Sequence, residues 1–354
     1  MSNRDYTLTV FGIIVGIGVL SLPNEIAKIA YEDAWISVIL GGIYPLYMVF
    51  IAKAMVKSFP EENIILISKK YLGKYLGSLL NIIFFSYFIF TSSMVLSGYI
   101  NLIRTFALGF LTPIKVIGIM AIMIAYASSK GVKTLSKINV YIFCVALLIF
   151  MSPYPALRQG SIKNVMPIFH SGVKNILKGG LTTTFAYAGI ECIFILYPSI
   201  ENKAKFLSAS LKGLLIVVLL YAWVVFITIY YLGADIISKT YWSFLSVTES
   251  VTITIVNNFR YIFMFLWSLV AFKVVANSYY TGMVILNDFF KGWNVKRLSY
   301  MAAPIMVILP LLYGNMVKRN YILNKGIKIY LIFNILYVTI IYLVMVIKKD
   351  EKSD

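Results

Sequence analysis

The chain has 354 residues, 60% hydrophobic and 13% charged, with a formal net charge of +18, and a mean hydropathy of +0.85. That balance excludes a soluble globular domain and describes an integral membrane protein, with the bilayer as apolar solvent and helices packed on one another. Two cysteines (Cys144 and Cys192) and a single histidine (His170) exclude a disulfide framework, a resident metal centre and nucleophile–histidine catalysis. No phosphate-binding loop follows a strand, so the chain is not expected to be an enzyme, and no cofactor is expected. A coupling cation stays open. The basic residues stand in short stretches between apolar runs, which marks membrane topology and not a nucleic-acid surface.

The ~20-residue length of a bilayer-spanning helix gives about ten spans, making this an all-α membrane fold. They fall near 6–30, 34–57, 78–108, 113–128, 136–151, 180–200, 207–232, 258–287, 298–316 and 328–347. The first has no small-residue cleavage site and is expected to remain as a span. Between the second and third, Glu61–Gly77 puts Ile64, Ile65, Ile67 and Leu72 on one side and Lys69, Lys70 and Lys74 on another, the pattern of an interfacial cytoplasmic helix. The long connection 152–179 contains Pro153, Pro155 and Pro167, then a short helical stretch at 172–178. The semi-polar segment 242–256 is expected to pack against the outer mouth. Roughly 18 basic residues fall on one side and about 13 on the other, which orients both termini to the cytoplasm.

The first span reads Gly12-Ile-Ile-Val-Gly16-Ile17-Gly18-Val-Leu-Ser21-Leu-Pro23-Asn-Glu25. Glycine and proline weaken a helical ladder, and a break at that depth is tolerated only against protein, water or a ligand. The sixth span is interrupted in the same way at Thr182-Thr-Thr184-Phe-Ala-Tyr187-Ala-Gly189. An offset of roughly 170–175 residues superposes these two spans, the second on the seventh and the third on the eighth. Five helices per half then form an inverted repeat, with both broken helices meeting at the midplane. Amides near Gly16, Ile17 and Gly18 would receive a carboxylate, and carbonyls near Ala186–Gly189 an ammonium group. The competing reading makes the glycines close-packing contacts between helices.

Three further features bear on a site. Lys273, in the middle of the eighth span, must be paired, hydrated or neutral, and Glu191 in the sixth is its candidate counter-charge. Each also reads as a separate structural anchor. In the third span Tyr87, Thr91 and Gly98 share a face, with Ser86, Ser92, Ser93, Ser97 and Tyr99 near them. Those hydroxyls either line a cavity or bond back to their own helix.

These residues resemble the B-subunit permease family of bacterial spore-germination receptors, a branch of the amino acid–polyamine–organocation superfamily. The resemblance spans nearly the whole chain. It rests on Gly16-Ile-Gly18-Val-Leu-Ser-Leu-Pro23, Thr112-Pro113-Ile114, Asn164-Val-Met-Pro167 with Gly172, and Gly189-x-Glu191 with Pro198. It implies one permease-like domain with five-plus-five inverted repeats of the LeuT type, the first over about 6–151 and the second over about 180–347. It implies a germinant ligand, often an amino acid, and two partners, a larger A subunit and a C-type lipoprotein. The membrane would be the inner spore membrane or the bacterial cytoplasmic membrane. By position it puts Gly16, Ile17, Gly18, Thr91, Ala188, Gly189 and Lys273 at the pocket, and Tyr187 and Asn277 complete the candidate ligand set. Lys273 departs from the family pattern: it either favours a carboxylate-bearing ligand or replaces a coupling cation. Ion-coupled amino acid transport is the alternative function.

Overall fold

The computed structural model describes residues 1–107, 109–249, 259–290 and 292–350. Residues 250–258 lie outside that description, as does 108, so the second half of the 242–256 segment and the extreme ends of the third and eighth spans are not addressed. Among the described residues every regular element is helical.

The first span is α1 (Asn3–Ile14) and α2 (Gly18–Ala30), separated at Val15–Ile17. The second is α3 (Ala34–Gly41) and α4 (Ile43–Ser58), which meet at Gly42. The amphipathic segment is α5 (Ile64–Leu72). Asn63 caps it by accepting from the N–H groups of Ile65 and Leu66, and Gly73 closes it at φ 84°. Ile64, Ile65 and Ile67 face the protein, whereas Lys70 turns outward to Glu62 at 3.2 Å. Next come α6 (Lys74–Phe106), α7 (Pro113–Ser129), which starts on Pro113 where a missing N–H costs nothing, and α8 (Val132–Met151).

The broken sixth span differs from the sequence expectation. It starts at Gly172, so the short helical stretch and the span form one bent unit, with 51° between 172–187 and 190–199. Its regular parts are α9 (Gly172–Thr182) and α10 (Ile193–Leu196), joined through 3-10 turns. Lys174, Lys178 and a glycine pair set the short helical stretch apart from the apolar span on sequence, yet Ile176, Gly179 and Gly180 are buried and carry the helix into it. The chain continues through α11 (Phe206–Leu232), the short α12 (Ala234–Lys239) and α13 (Ser243–Glu249), and α14 (Phe259–Asn287). The ninth span is two helices, α15 (Val295–Met301) and α16 (Ile305–Leu312), bent by 43°. The last helix, α17 (Met316–Asp350), starts twelve residues before its expected position at 328.

Among the described residues six helices are long and apolar enough to cross a membrane, or up to eight if each bent pair is one span. Their outward faces carry large apolar side chains such as Tyr141, Leu148, Phe265 and Ile332. A perimeter of this kind is stable against lipid and not against water. The chain is an integral membrane protein. Inside the perimeter α14 packs along α6, and α1 lies against α8, α11 and α14.

Candidate functional site

At the end of α1 the last carbonyls have no partners within the helix. Lys273, fully buried on α14, supplies them: its Nζ donates to the carbonyls of Gly12 at 2.9 Å and Val15 at 2.8 Å. Its ammonium also stands 5.3 Å from the centre of the Phe11 ring. The C-terminal end of a helix carries partial negative charge, so a cation belongs there. On the other side of the break, the N–H groups of Gly16, Ile17 and Gly18 find no acceptor among the described residues.

The second break is held by the opposite chemistry. Glu191, also fully buried, accepts at Oε2 from the Gly189 N–H and the Tyr87 hydroxyl, both at 2.8 Å. Its Oε1 accepts from Asn334 Nδ2 at 3.2 Å and from the Tyr44 hydroxyl. A carboxyl group at the amide end of a half-helix is the favourable arrangement. Gly189 itself has φ 109°, which side chains other than hydrogen rarely tolerate, and a Cβ there would come within 2.3 Å of the Ile13 carbonyl. The two breaks are therefore in backbone contact. The Tyr221 hydroxyl on α11 joins them further, 2.9 Å from the Ala186 carbonyl and 3.2 Å from that of Ile14. Gly189→Ala should lower stability by about 2–3 kcal/mol through strain and separation of the breaks. Its unfolding midpoint in detergent checks this, and a wild-type midpoint would refute the close contact.

Glu191 and Lys273 do not form the ion pair considered from sequence; each is taken by the backbone of a different break. Thr91 bonds back to its own helix at Tyr87 and Phe88, and Asn277 forms a reciprocal amide pair with Asn139 on α8. Tyr187 is buried and donates to the Val38 carbonyl at 2.9 Å, while Gly16 packs on Val274. Ala188 and Gly189 form the second break, without lining the cavity described next. Of the α6 hydroxyls, Ser93 meets Tyr313 at 2.7 Å and Tyr99 donates to Ser268 at 2.8 Å, so these tie helices together. Tyr44, Asn334 and Tyr221 carry no sequence signal, because each acts from a different, distant element.

Ile17 and Gly18 line a polar vestibule of about 40 Å³ beside the breaks, closed by Phe185, Tyr241 and Trp242. Trp242 opens the semi-polar segment, whose described part packs through α13 against α2. The facing wall belongs to α17, where Arg319 is 3% exposed. On sequence, Arg319 stands among Lys318, Asn320, Lys325 and Lys328 and reads as solvated loop.

A membrane-embedded helical bundle with two interrupted, self-contacting helices beside a polar vestibule is a permease-type architecture. A family model for spore germination proteins of the permease type matches residues 1–319, and the chain belongs to that family. It is 24% identical to spore germination protein GerQB of Bacillus cereus over 339 residues, covering 95% of this chain and 93% of that one. It is 22% identical to spore germination protein KB of Bacillus subtilis (strain 168), covering 100% of this chain and 96% of the relative. Among solved structures, a Na+-coupled sialic acid symporter aligns with a TM-score of 0.64 at 10% identity, over 98% of this chain and 78% of its own. Mhp1, a nucleobase-cation-symport-1 family transporter, aligns with a TM-score of 0.62 at 12% identity, over 90% and 73%. These neighbours establish the LeuT-type transporter fold.

Proposed function

We propose that this chain is the germinant-sensing, permease-like subunit of a spore germination receptor. A small solute binds in the vestibule at the breaks of the first and sixth spans, and the changed helix geometry is passed to an A-type subunit and a C-type lipoprotein. The observation that carries this reading is the junction of the two breaks: backbone against backbone at Ile13–Gly189, with Ile17 and Gly18 opening onto the vestibule. The family membership and the relatives named above support the receptor role. In this reading the chain is a ten-span, five-plus-five inverted repeat in the inner spore membrane, both termini cytoplasmic, and the vestibule opens outward. The free volume is about 40 Å³, room for about three waters. A solute larger than that displaces a wall such as Phe185 or Trp242, which couples occupancy to conformation.

The test is a thermal-shift screen of the purified protein against amino acids, nucleosides and sugars. At least one class should raise the midpoint of the wild type. Gly18→Leu should remove that shift without unfolding the protein, because a Cβ at Gly18 already stands 3.3 Å from the Phe185 ring. Normal affinity in this variant would place the solute elsewhere. Ion-coupled transport is the second reading, favoured by the symporter neighbours. Concentrative uptake into vesicles, driven by a sodium or proton gradient, would replace the receptor reading with that one.

A further inference from the structure

Away from the vestibule, the perimeter carries a groove in which positive charge and apolar surface meet. Three helices that run parallel form it. Asp5 meets Lys137 and, further on, the Phe11 ring centre lies 4.9 Å from that of Phe143, so α1 and α8 share a direction. Thr7 bonds the Ala209 carbonyl and Tyr221 that of Ile14, so α11 shares it too. α1 packs against both others and floors a groove of about 530 Å³ between them. Leu8, Phe143 and Ile216 make its surface apolar, and Arg4, Lys205 and Lys212 line the same groove.

Exposed basic residues at a membrane boundary are ordinarily solvated and set topology. Depth sets Lys212 apart. Lys205 stands just before α11, whereas Lys212 lies about two turns, or about 10 Å, further along the helix, where the segment is already apolar. A cation at that depth calls for an anion or for water. The neighbouring anions are taken: Asp5 pairs with Lys137 at 2.8 Å and Glu201 with the N-terminal ammonium at 3.1 Å. Among the described residues no carboxylate lies within 4.0 Å of Arg4, Lys205 or Lys212. The Thr7 and Ser208 hydroxyls return to backbone carbonyls, which leaves the three cations to receive an anion.

We infer that this groove seats an anionic phospholipid of the leaflet that meets the start of α1. Its phosphate lies among Arg4, Lys205 and Lys212, and an acyl chain runs over Leu8, Phe143 and Ile216. The cations select a negative headgroup, and the apolar floor selects a lipid over a soluble phosphate. The four-carbon stem of Lys212 lets its ammonium reach back toward the interface, where the phosphate sits. Because α1 is the floor and ends on Lys273 at the first break, an occupied groove braces that half of the broken span from outside. The lipid seat does not depend on the vestibule, which lies beyond the break.

Cys144 is exposed in the groove and Cys192 is buried, so labelling of Cys144 by a maleimide reads occupancy. The full-length protein in a neutral detergent is titrated with dioleoylphosphatidylglycerol, dioleoylphosphatidylcholine or glycerol phosphate. Each labelling rate is taken relative to the same protein without additive. Phosphatidylglycerol should protect Cys144 at a concentration at least about tenfold below that of phosphatidylcholine, and glycerol phosphate should not protect it. A basic residue near a membrane surface is worth about fivefold in anionic-lipid affinity, so Lys205→Gln with Lys212→Gln should raise the phosphatidylglycerol requirement about 25-fold. Arginine at both positions should restore it. Lys133→Gln, at the start of α8 and outside the lining, should leave it unchanged, which separates the groove from overall surface charge. Equal protection by the two lipids overturns the headgroup assignment. Equal protection by glycerol phosphate makes this a soluble-anion site and overturns the lipid. A wild-type requirement in the double glutamine variant takes the lysines out of the site. No protection by either lipid overturns the seat and leaves the groove to an acidic protein segment.

Discussion

Glu191→Ala should unfold much of the protein or lower its midpoint further than any other single substitution near the breaks. The carboxyl group accepts from four donors that come from separate parts of the chain: Tyr44 on α4, Tyr87 on α6, Asn334 on α17 and the Gly189 amide. All are buried away from bulk solvent. Each donor left unmatched costs about 1–3 kcal/mol, and the Gly189 N–H keeps the Tyr87 hydroxyl at 3.2 Å as a second acceptor, so the total reaches at least about 3 kcal/mol. Glu191→Gln keeps the shape and one acceptor oxygen, but its amide nitrogen meets a donor. Tyrosine hydroxyls can rotate to accept, whereas the Gly189 N–H cannot, so the glutamine variant should fall between wild type and alanine. Unfolding midpoints of the three proteins in one detergent give the order. An alanine variant as stable as the wild type would mean that the second break is held by packing alone.

Both interruptions were legible in the sequence because their cause is local. Gly16, Gly18 and Pro23 in one apolar run, and Ala188-Gly189 in another, weaken a helix whatever surrounds it. Lys273 and Glu191 were equally visible, since an ionisable side chain inside an apolar run needs a partner. Their partners were not visible. Opposite charges on two central spans suggest a pair, yet a helix break exposes carbonyls on one side and amides on the other, and each charge meets the nearer backbone end. Helical spacing puts Thr91 on a shared face but does not register that its hydroxyl bonds its own turn, and nothing local to Asn277 shows that Asn139 arrives from α8. Arg319 was hidden for another reason. Its basic neighbours resemble a topology-setting loop, and only the extension of α17 back to Met316 carries it into the bundle.

Lys273 supports the other break, and its removal should separate two roles. Lys273→Met keeps the aliphatic length and deletes the ammonium, leaving the Gly12 and Val15 carbonyls without their donor. At about 1–3 kcal/mol for each carbonyl, the midpoint should fall on the order of 5–10 °C. Lys273→Ala should fall at least as far, but it opens space beside two bare carbonyl oxygens at the negative end of α1. Carbonyls of unwound helices are ligands for sodium in transporters of this architecture. Sodium replacing choline at constant ionic strength should therefore raise the midpoint of the alanine variant and leave both the wild type and the methionine variant unchanged. A hundredfold excess over the dissociation constant corresponds to about 2.7 kcal/mol of recovery. Sodium-dependent stability in the wild type would show that a metal ion binds with the lysine in place. Equal behaviour of the alanine and methionine variants would reduce Lys273 to a tether between α14 and α1, in which case its charge has no bearing on cations.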